Sequence, residues 1–516
     1  MSLQTRIKKL IDQISVGMHE REEIIPVALL GALTGQNTFL YGPPGTAKSL
    51  ISRRIAKAFD NPPYFEYLMN RFSTPEEVFG PVSIKALKED QYTRKTENYL
   101  PKAEFAFLDE IWKSSPAILN SLLTLINEGI YKNGQELEKA PLKALIAASN
   151  ETPEENQGLD ALYDRFIIRL MVGPIEIKEN FESLISSKPT HAEVRVADDV
   201  IVKNNEWASW LKKIDSVELS QDTLTIIHLI RKELSEQFEE LGVYVSDRRW
   251  QKAAQLLKAS AFFNNRKQTN HSDVLLLRYC LWTTEANRED VESIVNNAIE
   301  ESGFSPELSL AELDRKKDAL DKEITNEIFH EKDVYETHDI NGKDHYQAKQ
   351  TFSYRDNFSY RSDTKTTTRT FYIPINKMKS KDTFNPVDAN GNELETYTCT
   401  FDGQGSCEVK ITGLEGRYDS TAHVTPKILY KKGQKKQNVN NRLINALKAE
   451  VNKLTQSLRT TLELCEAKQT DYMSSLYSPF VSEQSCNIAL NGINQQISDL
   501  KLRIKDCDRL KGLCSA

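Results

Sequence analysis

The sequence predicts an α/β domain with a mainly parallel sheet, followed by a smaller helical domain and by a long-helix region that carries a β-rich insertion. Three observations lead to this prediction. Short apolar runs alternate with helix-periodic segments up to about residue 175, and the pattern is helical from there to about residue 300. Strand-like alternation rich in Thr and Tyr then marks residues 330–432, between two helical stretches.

Length and composition limit the class of protein. The chain has 516 residues, enough for three or so domains, with 39% hydrophobic and 27% charged residues and a net charge of −7. This composition argues against a disordered chain and against a nucleic-acid-binding surface spread over the whole molecule. No apolar run reaches the roughly 18 residues of a membrane span, and residues 1–10 lack an apolar signal core. We therefore expect a cytoplasmic protein, whose seven widely spaced cysteines are free thiols.

The elements follow in chain order. Apolar residues at helical spacing predict helices over residues 3–14 and 24–33, and a proline pair at residues 62–63 ends the helix that follows residue 50. The segment 73–101 has turn signals and a hairpin-like character. Ser115 and Pro116 form a helix start, with a capping hydroxyl and a proline in the first turn. The remaining predicted elements are strands at 38–40, 64–69, 105–108, 142–148, 366–375, 396–401 and 407–411, and helices at 224–241, 250–263, 313–328, 444–462 and 493–507.

A glycine-rich loop stands between the strand at 38–40 and the next helix. Triphosphate oxygens must be met by several backbone N–H groups at a helix N-terminus, which requires such a loop. Lys48 is expected to reach the outer phosphates and Ser49 to bind Mg²⁺. Ala47 replaces the second glycine of the pattern G-x-x-x-x-G-K-[ST], which is tolerable if this residue has helical φ and ψ. The predicted nucleotide-binding residues are Gly42, Pro43, Pro44, Gly45, Thr46, Ala47, Lys48, Ser49 and Leu50.

Polar residues follow two further predicted strands. Asp109 and Glu110 end the run at 105–108, and Asn150 follows the run at 142–148. Ligands in parallel sheets lie off the carboxyl ends of the strands. Hydrolysis of a phosphoanhydride needs Mg²⁺ held near the outer phosphates and a positioned water. Asp109 is expected to hold the Mg²⁺ shell, Glu110 to orient or deprotonate the water, and Asn150 to hydrogen-bond that water or the γ-phosphate.

Four motifs together carry a family resemblance: GPPGTAKS at 42–49, FAFLDE at 105–110, ASN at 148–150 and LYDRF at 162–166. They resemble the MoxR family of AAA+ ATPases, in which alanine also occupies the position of Ala47. The runs at 65–88, 108–123 and 244–250 are similar to the RavA group within that family. The resemblance covers residues 20–285; beyond them only the layout of helices with a β-rich insertion is similar.

The resemblance implies roles for single residues. Lys48 and Ser49 resemble the Walker A pair, Asp109 and Glu110 the Walker B pair, and Asn150 the sensor-1 residue. It also implies that ATP and Mg²⁺ are the cofactors.

Arginines complete the implied site. Arg165 resembles the arginine finger that one subunit supplies to the nucleotide of its neighbour, and Arg169 is the alternative. Arg248 resembles the sensor-2 arginine of the helical lid, which touches the γ-phosphate, with Arg249 as its alternative. A finger in trans is worth on the order of 10³ to 10⁵ in rate, so a monomer is expected to be nearly inactive.

The pattern of helical and strand-like segments predicts the domain layout, and the resemblance implies the assembly and the partners. We expect an AAA+ core at 1–190, a helical lid at 191–300, a long-helix stalk at 301–330 with 433–516, and a β-rich module at 331–432. A homo-oligomer, a hexameric ring, is implied, with the segment 73–101 as a projecting hairpin. The implied partners are a von Willebrand factor A-domain protein of the ViaA type and, through the β-rich module, an inducible lysine decarboxylase.

Two features of the C-terminal third leave alternatives open. A lysine run is expected to be a solvated linker, with contact to an anionic membrane or nucleic acid as the alternative. Aromatic residues of the β-rich module form either a core, which we favour, or a partner surface. The lysines are Lys427, Lys431, Lys432, Lys435 and Lys436, and the aromatics are Tyr354, Phe358, Tyr360, Phe371 and Tyr372.

These observations together favour an Mg²⁺-dependent ring ATPase with a chaperone-like role in remodelling or maturing partner proteins. One alternative is a slow, nucleotide-gated scaffold that holds a partner enzyme. Another is a DNA-translocating motor, which would require a basic hairpin, whereas the charges of segment 73–101 are near balance.

Overall fold

The computed structural model describes residues 1–153, 159–187, 194–302, 310–355, 364–403, 405–411 and 421–515. They form two compact units. The first unit comprises Met1–Ser309 and Thr460–Leu502, and the second comprises Leu310–Arg459 and Arg503–Ala516. The predicted division placed all of 433–516 in a stalk, whereas the first unit includes part of that range.

A five-stranded parallel sheet forms the centre of the first unit, as the alternation of strands and helices predicts. Its order is β2-β3-β6-β1-β7. The core strands are apolar on both faces, and all six residues of β6 are buried. A separate antiparallel hairpin, β4 with β5, was not predicted. The strands are β1 (Asn37–Tyr41), β2 (Tyr64–Leu68), β3 (Phe105–Asp109), β4 (Ile130–Asn133), β5 (Glu136–Lys139), β6 (Ala144–Ser149) and β7 (Phe166–Met171).

Helices flank this sheet. In α1 the predicted stripe of Ile7, Leu10, Ile11 and Ile14 is buried, and the Ser2 hydroxyl caps its N-terminus. Ser115 and Pro116 do start α6, but the Ser115 side chain makes no capping hydrogen bond. The helices are α1 (Leu3–Ile14), α2 (Ile24–Thr34), α3 (Lys48–Ala56), α4 (Pro75–Phe79), α5 (Ile84–Leu87), α6 (Pro116–Glu128), α7 (Asp160–Tyr163) and α8 (Lys178–Ser186).

The segment 73–101 contains α4 and α5 and a short 3₁₀ helix, Leu100–Lys102. One antiparallel bridge joins Val82 to Arg94. The predicted hairpin is therefore reduced to this bridge, with α5 between its two arms.

The lid helices complete the first unit. The predicted helix at 224–241 is divided into α10 and α11. The helices are α9 (Asn204–Asp215), α10 (Gln221–Glu236), α11 (Phe238–Leu241), α12 (Asp247–Phe263), α13 (His271–Val274), α14 (Arg278–Leu281) and α15 (Arg288–Ser302).

The second unit combines long helices with small antiparallel sheets. Two three-stranded sheets, β11-β10-β9 and β12-β13-β14, share one hydrophobic core, and β15 pairs with β8. Its elements are α16 (Leu310–Ile328), β8 (Val334–Tyr335), β9 (His338–Ile340), β10 (Lys343–Arg355), β11 (Thr364–Pro374), β12 (Tyr397–Phe401), β13 (Cys407–Ile411), β14 (Thr421–Val424), β15 (Ile428–Tyr430) and, shared with the first unit, α17 (Asn441–Ser475) and α18 (Glu483–Leu513).

The predicted aromatic residues of this module differ in burial. Phe371 is buried in the core and Tyr372 is half-buried. Phe358 and Tyr360 lie outside the described residues, as does the side chain of Tyr354.

The stretch Thr460–Leu502 packs against the lid. Phe480 contacts Phe263, with ring centroids 6.0 Å apart, and the Asn264 amide donates to the Ser478 hydroxyl at 3.1 Å. Leu476 and Ala489 join the same hydrophobic core. These contacts explain why residues 460–502 group with the first unit.

No helix in the described part of the chain is both long and apolar enough to cross a membrane.

Candidate nucleotide-binding site

The loop between β1 and α3, residues 42–47, is held close to the end of β7. Gly42 N–H donates to Ser149 O at 3.1 Å, and Val172 N–H donates to Tyr41 O at 2.7 Å. A Cβ added to Gly42 would lie 2.2 Å from Val172 O, so only glycine allows this approach. Gly45 has φ 85°, a conformation that favours glycine, with nothing within 4 Å of an added Cβ. The loop therefore needs glycine at both positions, for different reasons.

Ala47 corrects one expectation. It adopts the left-handed conformation, with φ 66° and ψ 26°, rather than right-handed helical angles. A residue with a Cβ pays roughly 1–2 kcal/mol for this conformation. The backbone at Ala47 is therefore strained, and the loop keeps the left-handed conformation that a glycine at this position would adopt without strain.

Lys48, the first residue of α3, is buried and points back into the loop. Its Nζ donates to Gly42 O at 2.6 Å and to Pro43 O at 2.9 Å. Burial lowers the pKa of the ammonium group, and the charges of Asp109 and Glu110 oppose this shift. The ammonium therefore lies at the loop, close to the two carboxylates, where an anionic ligand would replace the carbonyl groups as its partner.

The two carboxylates stand at the end of β3. Burial raises the pKa of Asp109, whose Oδ1 accepts from Glu110 N–H at 3.0 Å. Glu110 has left-handed angles, φ 52° and ψ 42°, and such strain in a non-glycine residue is typical of functional sites. Its Oε2 is buried and lies 3.0 Å from Lys113 Nζ, an ion pair without hydrogen-bond geometry.

Asn150 follows β6, the strand between β3 and β1 in the sheet. It is exposed, whereas the preceding Ser149 is fully buried. The carboxyl ends of three neighbouring strands thus bring the glycine-rich loop, Asp109 with Glu110, and Asn150 to one edge of the sheet.

These residues fit a magnesium–nucleotide complex. In the described part of the chain, no group of three or more His, Cys, Asp or Glu side chains could hold a metal by itself. Mg²⁺ in phosphate-transfer sites takes only one or two protein ligands and completes its shell with phosphates and water. Ser49, in the first turn of α3, and Asp109 supply such a pair.

Arg21 belongs to this site and was not predicted. Its guanidinium is buried and donates to Gly173 O at 2.7 Å and to Thr46 O at 3.4 Å. Burial lowers its pKa. Arg21 lies between Glu20 and Glu22 in a polar run, which gives no local signal of burial. Besides Glu20 O, the carbonyl groups that accept from its guanidinium are distant in sequence.

A cavity of about 290 Å³ adjoins this region. It is lined by residues of the segment before α2, of β7 and of the lid, among them Glu20, Glu23, Met171, Tyr279 and Arg288.

Arg165 and Arg248 do not lie at this edge. Arg165 precedes β7, at the amino edge of the sheet, and its Nε donates to Asn127 Oδ1 at 2.5 Å. Arg248 donates to the same oxygen at 3.1 Å. Burial lowers the pKa of Arg165, and the charge of Arg248 lowers it further. The predicted finger, which is half-buried, and the predicted lid sensor, which is exposed, therefore form one pair.

Arg169 and Arg249, the alternatives, form a second and buried pair. Both donate to Trp282 O, at 2.5 and 2.7 Å, and both are 1% exposed. Arg169 also lies over the Tyr163 ring, and Arg249 donates to Cys280 O at 2.7 Å. Burial, and then the charge of Arg169, lowers the pKa of Arg249 to about 9. Their donors are engaged by backbone carbonyl groups, so this pair joins β7 to the lid.

Two family models match the first unit. Residues 5–207 match the model described as the MoxR domain in the MoxR-vWA-beta-propeller ternary systems, and residues 222–295 match an AAA lid domain.

The chain is also similar to known proteins. Two uncharacterised proteins of Methanocaldococcus jannaschii are 41% and 39% identical over 279 and 291 residues, which are 54% and 56% of this chain and 71% and 72% of theirs. A structural protein of Acidianus two-tailed virus is 33% identical over 180 residues, 34% of this chain and 28% of that protein. A crystal structure of a provisionally assigned ATPase from Cytophaga hutchinsonii, 22% identical, aligns with a TM-score of 0.45 over 57% of this chain and 94% of that one. The chain belongs to the MoxR family of AAA+ ATPases.

Proposed function

We propose that the chain is an Mg²⁺-dependent ATPase that acts as a ring, in which Arg165 and Arg248 of one copy complete the nucleotide site of the next. One observation carries this proposal: the two arginines share Asn127 at the edge of the sheet opposite the glycine-rich loop. Asn37 pairs with Phe166 and Tyr41 with Met171, so the length of a strand separates Arg165 from the loop. A six-residue strand spans about 20 Å, which an arginine side chain cannot cross.

The chain's own residues have distinct roles in this proposal. Backbone N–H groups of the loop and the Lys48 ammonium bind the phosphates, and Ser49 and Asp109 hold Mg²⁺, which neutralises charge on the phosphate oxygens. Glu110 and Asn150 orient the attacking water, and Glu110 accepts its proton. Arg165 and Arg248 stabilise the charge on the transferred phosphoryl group from the neighbouring copy.

The biological role belongs to the same proposal. We infer a RavA-like chaperone role in remodelling or maturing partner proteins, with a hexamer as the working assembly. The name of the matching MoxR model supports a von Willebrand factor A-domain partner. Binding of a lysine decarboxylase by the module at 331–432 is proposed from the family resemblance alone, as are the roles of the four predicted domains.

Mixing two inactive variants tests completion of the site in trans. Lys48→Ala removes phosphate binding and Arg165→Ala removes the finger, so each variant alone should lose at least about 10³-fold in turnover. A 1:1 mixture should recover about a quarter of wild-type turnover, because about one interface in four then pairs an intact loop with an intact finger. Steady-state ATP hydrolysis measures this recovery.

Arg442→Ala is the matched control, since Arg442 is an exposed arginine of α17 and should leave turnover unchanged. Turnover of the wild type per chain should rise with protein concentration as rings form. Failure of the mixture to recover activity would contradict completion in trans. If the wild type binds ATP without hydrolysing it, the result would favour the alternative function, a nucleotide-gated scaffold that holds a partner enzyme.

A further inference from the structure

Helix α8 carries an apolar face that the described residues leave largely exposed. Ile177, Phe181, Leu184 and Ile185 are spaced i, i+4, i+7 and i+8, and so lie on one face, with exposures of 52%, 50%, 40% and 67%. None of the nine helical residues is buried. A helix this short is marginal in water by itself, and such a face marks an interaction site.

This face belongs to the same side of the molecule as the glycine-rich loop. The Glu20 carboxylate accepts from Glu176 N–H and Ile177 N–H, each at 2.9 Å, and so anchors the start of α8. The adjacent Arg21 donates to Thr46 O, within the loop, and to Gly173 O. Two neighbouring residues thus connect α8 to the phosphate-binding loop.

A groove lined by both apolar and polar side chains lies on the other side, beside the pair formed by Arg165 and Arg248. It has a volume of about 300 Å³ and its lining includes Leu234, Phe238, Val243, Tyr244 and Trp250. Phe238 is 50% exposed and Tyr244 is 71% exposed. The groove also includes Asp247, the residue directly before Arg248.

We propose that α8 of one copy docks into this groove of the next copy and thereby brings Arg165 and Arg248 to the neighbour's phosphate-binding loop. The contact is heterologous, since it joins two different surfaces, and repeated contacts of this kind close into a ring. The groove carries one charge of each sign: Glu179 of α8 is opposite in charge to Arg231, and Lys178 of α8 is opposite in charge to Asp247.

The occupant is a second copy of this chain because the two surfaces flank the two halves of one composite site. A protein of another kind on α8 would cover the loop side without supplying the arginines. This docking contact rests on the proposed function, because that function is what gives Arg165 and Arg248 a role at the neighbour's nucleotide site.

Paired cysteines test the contact. In a Cys514→Ser background, Phe181→Cys combined with Tyr244→Cys should give a ladder of covalent oligomers under mild oxidation. Either cysteine alone should give no ladder. Met473→Cys with Tyr244→Cys is the matched control, because Met473 is similarly exposed, at 58%, on α17.

A charge on the apolar face gives a second measurement. Phe181→Asp should weaken assembly about tenfold or more, measured as mass against protein concentration, and leave the affinity of the single chain for a fluorescent ATP analogue unchanged. The fold should persist because Phe181 is 50% exposed.

The outcomes separate this inference from the proposed function. No ladder, with assembly unchanged in Phe181→Asp, would overturn the docking contact and show that α8 takes another occupant. If the mixture of Lys48→Ala and Arg165→Ala still recovers activity in that case, completion in trans stands. A ladder without recovery in the mixture would support the docking contact and reject the catalytic role of the arginines.

Discussion

Two non-glycine residues of the site have left-handed backbone angles, Ala47 before α3 and Glu110 after β3. Each costs roughly 1–3 kcal/mol, which the surrounding structure must supply. These backbone angles determine that α3 begins at Lys48, and they set the direction in which the Glu110 side chain leaves the backbone.

Replacing Ala47 with glycine should stabilise the protein. Loss of the Cβ relieves the left-handed strain, and the added backbone freedom of the unfolded chain offsets part of it, leaving a gain of about 0.5–1 kcal/mol. Denaturant unfolding measures the gain. Ala56→Gly, in the α3 helix, is the control and should destabilise instead; a loss of stability in Ala47→Gly would show that the strain is absent.

The raised pKa of Asp109 predicts how Mg²⁺ binding depends on pH. Burial favours the neutral carboxylic acid, so protons compete with Mg²⁺ at a higher pH than for an ordinary aspartate. The Mg²⁺ concentration for half-maximal turnover should therefore rise as the pH falls towards the raised pKa of Asp109. The same raised pKa means that ionisation costs stability as pH rises through it, and bound Mg²⁺ should offset that cost. A half-maximal Mg²⁺ concentration that does not change with pH would contradict the assignment of Asp109.

Local sequence predicts part of this site. The positions of Lys48, Asp109 and Asn150 could be predicted because each lies at the end of a strand or follows the loop or residue after it. The different surroundings of Arg165 and Arg169 could not, because the burial of Arg169 depends on Trp282, which comes from the lid and whose carbonyl accepts from Arg169 and not from Arg165. Backbone angles such as those of Ala47 likewise cannot be predicted from the residue types of a motif.

At the scale of elements, close contact between helices depends on one glycine. A Cβ added to Gly492 of α18 would lie 2.7 Å from Glu300 O of α15. Backbone atoms cannot move away as a flexible side chain can. This contact is one of those that attach residues 460–502 to the lid.

Gly492→Ala should therefore destabilise the first unit by about 1–3 kcal/mol, the usual cost of overpacking. Gly512→Ala is the matched control: Gly512 lies in the same helix with nothing near an added Cβ, so alanine should be neutral or stabilising by up to about 1 kcal/mol. Thermal unfolding of both variants gives the comparison. Equal stability of the two variants would mean that α18 does not approach α15 closely.

At the scale of the whole molecule, the sheet and the β-rich module were predicted better than the grouping of the long helices. Alternation of apolar and polar residues fixes the strands Tyr397–Phe401 and Cys407–Ile411 to within a residue of their predicted bounds. The apolar repeat of α17 is the same on both sides of Arg459, and a repeat does not specify which surface covers it. Hence the sequence could not indicate that residues 460–502 pack on the lid.

Thiol reactivity should report the folded state of the whole chain. Six cysteines are buried and Cys514 is half-exposed. Burial raises the pKa of Cys280 to about 12, which suppresses its reactive thiolate. A thiol reagent should label Cys514 rapidly and the others only on unfolding, and Cys514→Ser should abolish the rapid phase. Rapid labelling of a second cysteine in the native protein would contradict this burial.

The split composition of the first unit has a consequence for synthesis of the chain on a ribosome. The glycine-rich loop and the lid emerge first, and residues 310–459 follow. Residues 460–502, which contact Phe263 on the lid, emerge only afterwards. A nascent chain thus has its glycine-rich loop long before it has its last core residues, and during that interval it exposes an apolar lid surface. Newly made chains should therefore depend on holding chaperones until residue 502 has left the exit tunnel.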